Sequence, residues 1–281
     1  MAIDEFRYRG KYVCVLYDLD NNQIFDMIRD KDDADSMDAY FTLLRGRAAV
    51  IVVTIDRSSQ FRALIPKYFP NATIVADHFH IGRDILDAFK RIRQKIERSL
   101  TGDNEKEFRA DRYPLFAASE DLSTGEEQRV TSWTRSETEL GEAYRTKETL
   151  FSIWKIAQNS VHGSKLYESW KATLSDRQVR NFQSLINSID AWADPIFAFF
   201  DFRSTSSIAE SLNRLSRERV RKARGCSYEL LRCVMTYPRV LRQARELMTG
   251  KSVPVSEQVP IAELLNRFNL EQLQKKPRTK G

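Results

Sequence analysis

Cysteine and histidine are scarce in this sequence, which contains three of each among its 281 residues. No two cysteines form a Cys-x-x-Cys pair. This usage is typical of a reducing compartment, so we expect a cytoplasmic protein. His78 and His80 lie close together, but the third histidine, His162, is distant in sequence and no cysteine is nearby. The distribution argues against a zinc site.

Long apolar runs and glycine-rich loops are also absent. No run approaches the roughly 18–20 apolar residues that a membrane helix needs, and the amino terminus lacks a signal-peptide pattern, so we expect no membrane association. No glycine-rich phosphate loop follows the first predicted strand, which argues against a doubly wound nucleotide-binding fold. The net charge is +6, from 45 Lys and Arg against 39 Asp and Glu. With so mild an excess, the location of the positive charge is more informative than the total.

Two runs of apolar, mostly β-branched residues each end in an acidic residue. Val50–Ile55 precedes Asp56, and Ala72–Ala76 precedes Asp77. Runs that are apolar on both faces indicate central strands of a sheet covered by helices. Because ligands and metals reach such a sheet beyond the carboxyl ends of its strands, the two aspartates mark a candidate site.

The chain before these runs predicts three further strands, over Ala2–Phe6, Tyr12–Leu19 and Gln23–Arg29. Asn21-Asn22 is a hairpin signal between the second and the third, so these strands are expected to be antiparallel. A helix follows from Lys31–Asp35. The predicted order is three strands, a helix, a strand, a helix and a strand. This order predicts an α/β fold with an RNase H-like mixed sheet.

From Ile81 onward the apolar spacing becomes helical. We expect a helix over Arg83–Leu100, a loop with a partial helix over Thr101–Thr124, and amphipathic helices from Glu126 to Phe202. The predicted domains are the first part of an RNase H-like catalytic core (1–100), an all-helical insertion (101–203), closing helices of the core (204–248) and a C-terminal tail (249–281).

Three acidic residues are candidates for a shared metal site. Asp4 lies on the first strand, Asp56 ends the fourth, and Glu210 lies at the start of a helix. The first and fourth strands of an RNase H-like sheet are neighbours, so we expect Asp4 and Asp56 to converge. Carboxylates without cysteine suit hard divalent ions such as Mg²⁺ or Mn²⁺. Two ions about 3.5–4 Å apart would activate a water or a 3′-hydroxyl and stabilise the leaving oxygen.

The residues alone leave other interpretations open. Asp4 would be a solvated residue near the terminus, Asp56 a cap of the following helix, and Glu210 an ordinary helix glutamate. Asp77 would either cap the next helix or support the metal site. The two histidines after Asp77 would alternate faces on an extended segment, so that only one of them points to the site.

Basic residues concentrate on the two predicted helices that flank the carboxylates. Residues 204–245 alone hold ten Lys or Arg against three Glu. Such faces neutralise DNA phosphates independently of sequence, although a solvated helix surface has the same pattern. The candidate DNA-binding residues are Lys90, Arg91, Arg93, Arg214, Arg217, Arg221 and Lys222.

A spaced set of short motifs resembles the ISL3 family of DDE transposases from bacterial insertion sequences. The likeness extends from Ile3 to about Leu241, and the set as a whole is more specific than any one motif. The matching segments are Ile3-Asp4-Glu5-Phe6, Lys11-Tyr12-Val13, Asp18-Leu19, Val53-Thr54-Ile55-Asp56, Phe69-Pro70-Asn71-Ala72, Asp77-His78-Phe79-His80, Glu210-Ser211-Leu212-Asn213, Gly225 and Tyr228-Glu229.

The resemblance implies metal-dependent DNA strand cleavage and strand transfer in DNA transposition. It implies that Asp4, Asp56 and Glu210 are the catalytic, metal-binding residues. Asp77, His80 and Asn213 would be supporting residues. The implied partners are double-stranded DNA, namely element ends and target, and further copies of the chain, which would associate with the bacterial nucleoid.

The sequence departs from the family in two places. Family members usually carry a cysteine zinc-binding segment and a helix-turn-helix ahead of this domain. Met1 stands only three residues before Asp4, so we expect both to be missing. After Asn213 the family favours an Ile-Lys-x-x-x-Arg run, which is Arg214–Arg219 here. The alternatives are therefore a truncated, inactive remnant that binds DNA or full-length transposase as a modulator, and a general nuclease.

Overall fold

The computed structural model describes residues 1–135, 138–203, 207–222 and 227–237. The chain forms two compact units. The first comprises residues 1–74 together with those from Ser206 onward, and the second comprises residues 75–205. We call them the sheet unit and the helical unit. The predicted C-terminal tail lies outside the described residues.

The sheet is mixed and has five strands. Their bounds are β1 (Ala2–Tyr8), β2 (Lys11–Asp18), β3 (Gln23–Ile28), β4 (Val52–Ile55) and β5 (Thr73–Ala76). The strand order is β3-β2-β1-β4-β5. β2 is antiparallel to both β1 and β3, whereas β1 and β4 are parallel. The α/β class and the antiparallel order of the first three strands are confirmed.

The two hairpin turns form where left-handed backbone is tolerated. Gly10 (φ 86°) follows Arg9 (φ 48°) between β1 and β2, and Asn22 (φ 52°) precedes β3. Glycine and asparagine adopt positive φ at less cost than most residues. The second of them is the hairpin turn that Asn21-Asn22 predicts.

One face of β1 and β2 is covered by helices from the end of the described chain. These are α11 (Ser207–Lys222) and α12 (residues 228–237). Side chains alternate between the faces of a strand, so Ala2, Phe6 and Tyr8 share one side of β1. They pack in one apolar cluster with Val13, Val15, Tyr17, Ile24, Met27, Leu212, Tyr228, Leu231 and Met235.

α12 is fixed to β3 by a buried polar network. Arg232 donates two hydrogen bonds to the buried Asp26 carboxylate, at 2.7 and 2.8 Å. The Tyr40 hydroxyl, from α1 (Ala34–Leu43), donates to the same carboxylate at 2.9 Å. The Tyr228 hydroxyl donates to the Met27 carbonyl at 2.7 Å. The bidentate, charge-assisted contact between Arg232 and Asp26 fixes the orientation of α12 and stabilises its packing.

The sheet unit also contains α2 (Ser59–Tyr68), between β4 and β5. α1 and α2 pack through aromatic side chains. Phe41 stacks on Tyr68, with 5.4 Å between ring centroids, and meets Phe69 edge-on at 5.7 Å.

The helical unit contains eight α-helices in the part of the chain that the structure describes. They are α3 (His78–Glu97), α4 (Asp103–Ala110), α5 (Arg112–Phe116), α6 (Thr124–Trp133), α7 (Glu139–Ile156), α8 (Ser160–Ala172), α9 (Asp176–Ala191) and α10 (Ala193–Phe202). α3 packs on α7 and α9, and this compact unit begins at Val75. The predicted division into functional domains stays a prediction.

The loop expected over Thr101–Thr124 is wrong, because most of it is helical. Gly102 (φ 67°) directly precedes α4. Pro114 lies in the first turn of α5, where the backbone N–H that proline lacks would have no partner within the helix. Phe108 of α4 is buried edge-on against Trp133, with ring centroids 5.0 Å apart.

Within the described ranges, no helix combines the length and apolar character that a bilayer crossing demands.

Candidate active site

Asp4 and Asp56 follow directly the last paired residues of β1 and β4. In this parallel pair Ala2 is opposite Thr54 and Ile3 is opposite Ile55. Asp4 is the next residue of β1, and Asp56 is the first residue after β4. Neighbouring strands are about 4.8 Å apart, so the register brings the two backbone positions together. The predicted adjacency of the first and fourth strands is confirmed.

Asp4 lies on the helix-covered face of the sheet. It alternates with Ala2 and Phe6, both of which are buried beneath α11 and α12. Asp4 itself is half-buried, and its Oδ1 accepts a hydrogen bond from the Glu5 N–H at 2.6 Å. This bond orients the carboxylate, so Asp4 is not a solvated residue of a loose terminus.

Asp56 does not cap α2, contrary to one interpretation of the sequence. The N-cap residue of α2 is Ser58, whose hydroxyl accepts the Phe61 N–H at 3.5 Å. The Asp56 carbonyl accepts the Ser58 N–H at 2.7 Å, which closes the turn between β4 and α2. The half-buried Asp56 therefore follows a buried strand without being the cap of the next helix.

Glu210 lies in the first turn of α11, and its side chain is outside the described set, as are those of Asn213 and Lys222. α11 packs against β1, and Leu212 reaches the cluster that contains Ala2 and Phe6. The helix that carries Glu210 thus covers the sheet face that carries Asp4. Among the described side chains, no three His, Cys, Asp or Glu are grouped closely enough to hold a metal.

The buried Tyr17 hydroxyl lies within electrostatic reach of both Asp4 and Arg217 of α11. Burial, and next the negative charge of Asp4, raise the pKa of the Tyr17 hydroxyl far above its usual range, whereas the Arg217 guanidinium opposes this shift. Asp4 and Arg217 therefore both act on one buried phenol. A cation from α11 accompanies the strand carboxylate.

Asp77 caps α3. Its buried carboxylate accepts the Phe79 N–H at 3.0 Å, and Oδ2 lies 2.7 Å from Nδ1 of His80. The extended segment expected for His78 and His80 is wrong, because both lie in the first turn of α3. The support of a metal site by Asp77 and His80 stays a prediction.

His78 is a packing residue in this arrangement. Its ring stacks on Phe199 with centroids 4.5 Å apart and planes at 20°. Burial lowers the pKa of His78, and the Asp77 carboxylate opposes that shift.

The basic residues of α3 divide into exposed and buried side chains. Arg91 is exposed and Lys90 is half-buried. Arg93 is only 4% exposed, donates to Glu97 at 2.6 Å, and lies over the Phe108 ring. Its burial removes Arg93 from the candidate DNA-binding residues.

On α11, the side chains of Arg214, Arg217 and Arg221 are exposed. Their spacing of three and four residues puts them along one side of the helix. Ser216 is buried and Leu212 is half-buried on the side facing the sheet. The three arginines form a continuous positive stripe, which we call the α11 stripe.

The residues present fit a divalent metal in their chemistry. Asp4 and Asp56 directly follow the paired residues Ile3 and Ile55, and a third acidic residue lies on the covering helix. Carboxylate oxygens without thiolates are the ligands that Mg²⁺ and Mn²⁺ prefer.

A comparison with family models gives one match. The model for transposases of the DDE type, ISL3, matches residues 1–235 of the 281-residue chain. The match includes β1, β4, α11 and most of α12. Neither a curated protein nor a solved structure matches the chain.

Proposed function

The chain belongs to the ISL3 family of DDE transposases, and on that premise we propose that it cleaves and joins DNA strands in a metal-dependent reaction. The observation that supports the proposal is the register of β1 and β4, in which Ile3 pairs with Ile55, the residues directly before Asp4 and Asp56. The resemblance seen in the sequence motifs is confirmed by the family match, while the roles of individual residues are proposals.

We propose that the sheet unit has an RNase H-like core. The order β3-β2-β1-β4-β5, with antiparallel β1, β2 and β3 and a parallel β1–β4 pair, supports this assignment. In such a core the parallel pair at the centre presents its acidic residues at one edge, where substrate can enter.

In the proposed reaction Asp4, Asp56 and Glu210 hold Mg²⁺ or Mn²⁺. When bound, these ions would activate a water or a 3′-hydroxyl and would stabilise the negative charge on the leaving oxygen. The protein's part is positioning. The two strands fix the backbone of the aspartates, the Glu5 N–H orients the Asp4 carboxylate, and Glu210 is carried by α11, which packs against β1. Asn213 would support Glu210 from the same helix.

DNA binding in this proposal uses the α11 stripe together with Lys90, Arg91 and Lys222. Exposed guanidinium groups beside a carboxylate site neutralise backbone phosphates that the carboxylates would otherwise repel. The substrates would be the element ends and the target duplex, bound by more than one copy of the chain. A protein with this function would work in the bacterial cytoplasm at the nucleoid.

The proposal is tested by strand cleavage and joining on labelled element-end DNA with Mg²⁺ or Mn²⁺. We expect Asp56→Asn and Glu210→Gln to lower product formation by at least 100-fold, because each removes one negative oxygen ligand from a shared site. Asp20→Asn, in the exposed β2–β3 turn, and Glu107→Gln, exposed on α4, are matched controls that should retain activity.

Each alternative predicts a different outcome. Salt-sensitive DNA binding without cleavage by the wild type would favour an inactive modulator. Cleavage without preference for the terminal repeats would favour a general nuclease. Undiminished activity of Asp56→Asn would contradict the proposed carboxylate site.

A further inference from the structure

A lysine of the sheet unit connects the two chain segments that carry Asp4 and Asp56. The parallel pairing of β1 with β4 ends at Ile3 and Ile55, so both aspartates lie just beyond it. The strand pairing alone therefore leaves the separation of the two carboxylates open. Lys31, in the segment between β3 and α1, contacts both sides of this junction.

The Lys31 ammonium group has three acceptors. Its Nζ lies 3.1 Å from Oε2 of Glu5 and 3.2 Å from Oδ1 of Asp32, and it donates to Oε1 of Gln60 at 3.2 Å. An ammonium group has three N–H donors, so each of them has an acceptor. The side chain is only 14% exposed. Burial disfavours its charged form, but the contacts with Glu5 and Asp32 outweigh burial and raise the pKa of Lys31.

Both the backbone and the side chain of Lys31 are held in place. Nε2 of Gln60 donates to the Lys31 carbonyl at 2.6 Å, so Gln60 makes two hydrogen bonds to this one residue. The Lys31 N–H donates to the Tyr12 carbonyl of β2 at 2.9 Å, and Nζ lies 5.2 Å from the centre of the Tyr12 ring. Lys31 thus joins β1, β2 and the first turn of α2.

This network leads to both aspartates. Glu5 directly follows Asp4, and its N–H donates to the Asp4 carboxylate at 2.6 Å. Side chains alternate along a strand, so Glu5 meets Lys31 on the face opposite to Asp4. At the other end, Gln60 lies four residues after Asp56, across the short turn between β4 and α2. Loss of Lys31 would therefore release the Asp4 segment of β1 from the turn that follows Asp56.

We propose that Lys31 and Gln60 are positioning residues, which hold Asp4 and Asp56 at the spacing that a shared divalent metal requires. Neither side chain touches the metal or the DNA in this role. Both act through the backbone of β1 and the turn between β4 and α2. Groups that orient metal ligands typically contribute 10–100-fold to metal affinity. The inference rests on the proposed function, because it concerns the same carboxylate site.

The test measures Mn²⁺ binding directly, by electron paramagnetic resonance of the free ion, and also the Mn²⁺ concentration that gives half-maximal strand cleavage. Lys31→Met keeps the length of the side chain and removes its charge. We expect about tenfold weaker Mn²⁺ binding and a matching rise in the half-maximal concentration. Cleavage at saturating Mn²⁺ should stay within about twofold of the wild type, because the bound metal draws the two aspartates together.

Two further variants separate positioning from general stability. Gln60→Leu breaks the link to α2 but leaves Lys31 paired with Glu5, so it should weaken Mn²⁺ binding even if Lys31→Met fails to fold. The double variant should bind Mn²⁺ no more weakly than Lys31→Met, because both changes break one path. Lys67→Met removes an exposed ion pair at the opposite end of α2, with Asp38, and is the matched control that should bind Mn²⁺ as the wild type does.

The inference and the proposed function fail in distinguishable ways. Wild-type Mn²⁺ affinity in folded Lys31→Met and Gln60→Leu, with weak binding by Asp56→Asn, would overturn the inference alone. A loss of cleavage at saturating Mn²⁺ without any change in affinity would overturn it as well. Equal Mn²⁺ binding by the wild type and Asp56→Asn would count against the proposed carboxylate site itself.

Discussion

α3 and α11 are both amphipathic helices rich in Lys and Arg, yet their cations have different surroundings. In α3, Arg93 is buried beside Glu97 and Lys95 pairs with Glu139 at 2.9 Å. In α11, the stripe of Arg214, Arg217 and Arg221 is exposed. The same sequence pattern thus builds internal ion pairs in the helical unit and a positive surface in the sheet unit.

The difference comes from what packs against each helix. α3 lies against α4 and α7, which bring Arg109 to Glu97 at 2.7 Å and Glu139 to Lys95. α11 meets β1 with its apolar side, and its arginines lie on the opposite side. Counting basic residues along a helix therefore does not establish a nucleic-acid surface, because acidic partners come from distant parts of the chain.

The largest test of this comparison removes the α11 stripe. For Arg214→Ala, Arg217→Ala and Arg221→Ala together, we expect the slope of log affinity against log salt to become shallower by about 2.7. At 0.1 M salt this corresponds to roughly 500-fold weaker binding of duplex DNA. Fluorescence anisotropy at several salt concentrations measures both quantities. An unchanged slope would show that the exposed stripe is not a phosphate-binding surface.

A second test concerns the buried cation of α3. Arg93→Ala should lower the free energy of unfolding by about 2–3 kcal/mol, because it leaves Glu97 short of one partner and uncovers Phe108. The exposed neighbour Arg91→Ala should change stability by no more than about 0.5 kcal/mol. Urea unfolding measures both. If Arg93→Ala lowered the salt dependence of DNA binding and left the free energy of unfolding unchanged, Arg93 would be a DNA-binding residue and not a buried structural one.

The smallest effect concerns the Lys95–Glu139 pair. The hydrogen bond from Lys95 holds the pKa of Glu139 below its ordinary value of 4.5. Because the folded pKa is the lower one, the stabilisation is complete above pH 4.5 and is lost as pH falls through the folded value. Lys95 is largely exposed, so Glu139→Gln should cost only about 0.5 kcal/mol at pH 7.

Unfolding of the wild type and Glu139→Gln across pH 2–7 measures this contribution. The difference between them should disappear at the acid end. Glu107→Gln, a substitution of an exposed glutamate on α4, supplies the comparison. A difference that grows toward low pH would contradict the sign of the shift.

The sheet could be predicted because its signals are local. Val50–Ile55 and Ala72–Ala76 are β-branched and apolar, and Asn21-Asn22 marks a hairpin, so strand order follows from the chain itself. The adjacency of β1, which carries Asp4, and β4, which precedes Asp56, is the part of the predicted site that the sheet order confirms. The loop predicted over Thr101–Thr124 was wrong because Gly102 and Pro114, residues typical of loops, lie at the beginnings of helices.

Side-chain surroundings could not be predicted, since they depend on residues far apart in sequence. Nothing near Arg93 in the sequence shows that Phe108 will lie against it or that Arg109 will share its partner Glu97. His78 lies in the first turn of a helix because Asp77 caps that helix. The sequence pattern around His78 was equally compatible with an extended segment. Trp154 has the spacing of a core residue, and only the packing of α7 against α3 shows that it lines a cavity.

The buried pairing of Asp26 with Arg232 has a consequence for the order of synthesis. The two residues are 206 positions apart. At about 5–20 residues per second, β3 leaves the ribosome roughly 10–40 s before α12 exists. During this interval the Asp26 carboxylate and the apolar face of β1 and β2 lack their covering helices. The sheet unit can therefore reach its final packing only after translation has passed the entire helical unit.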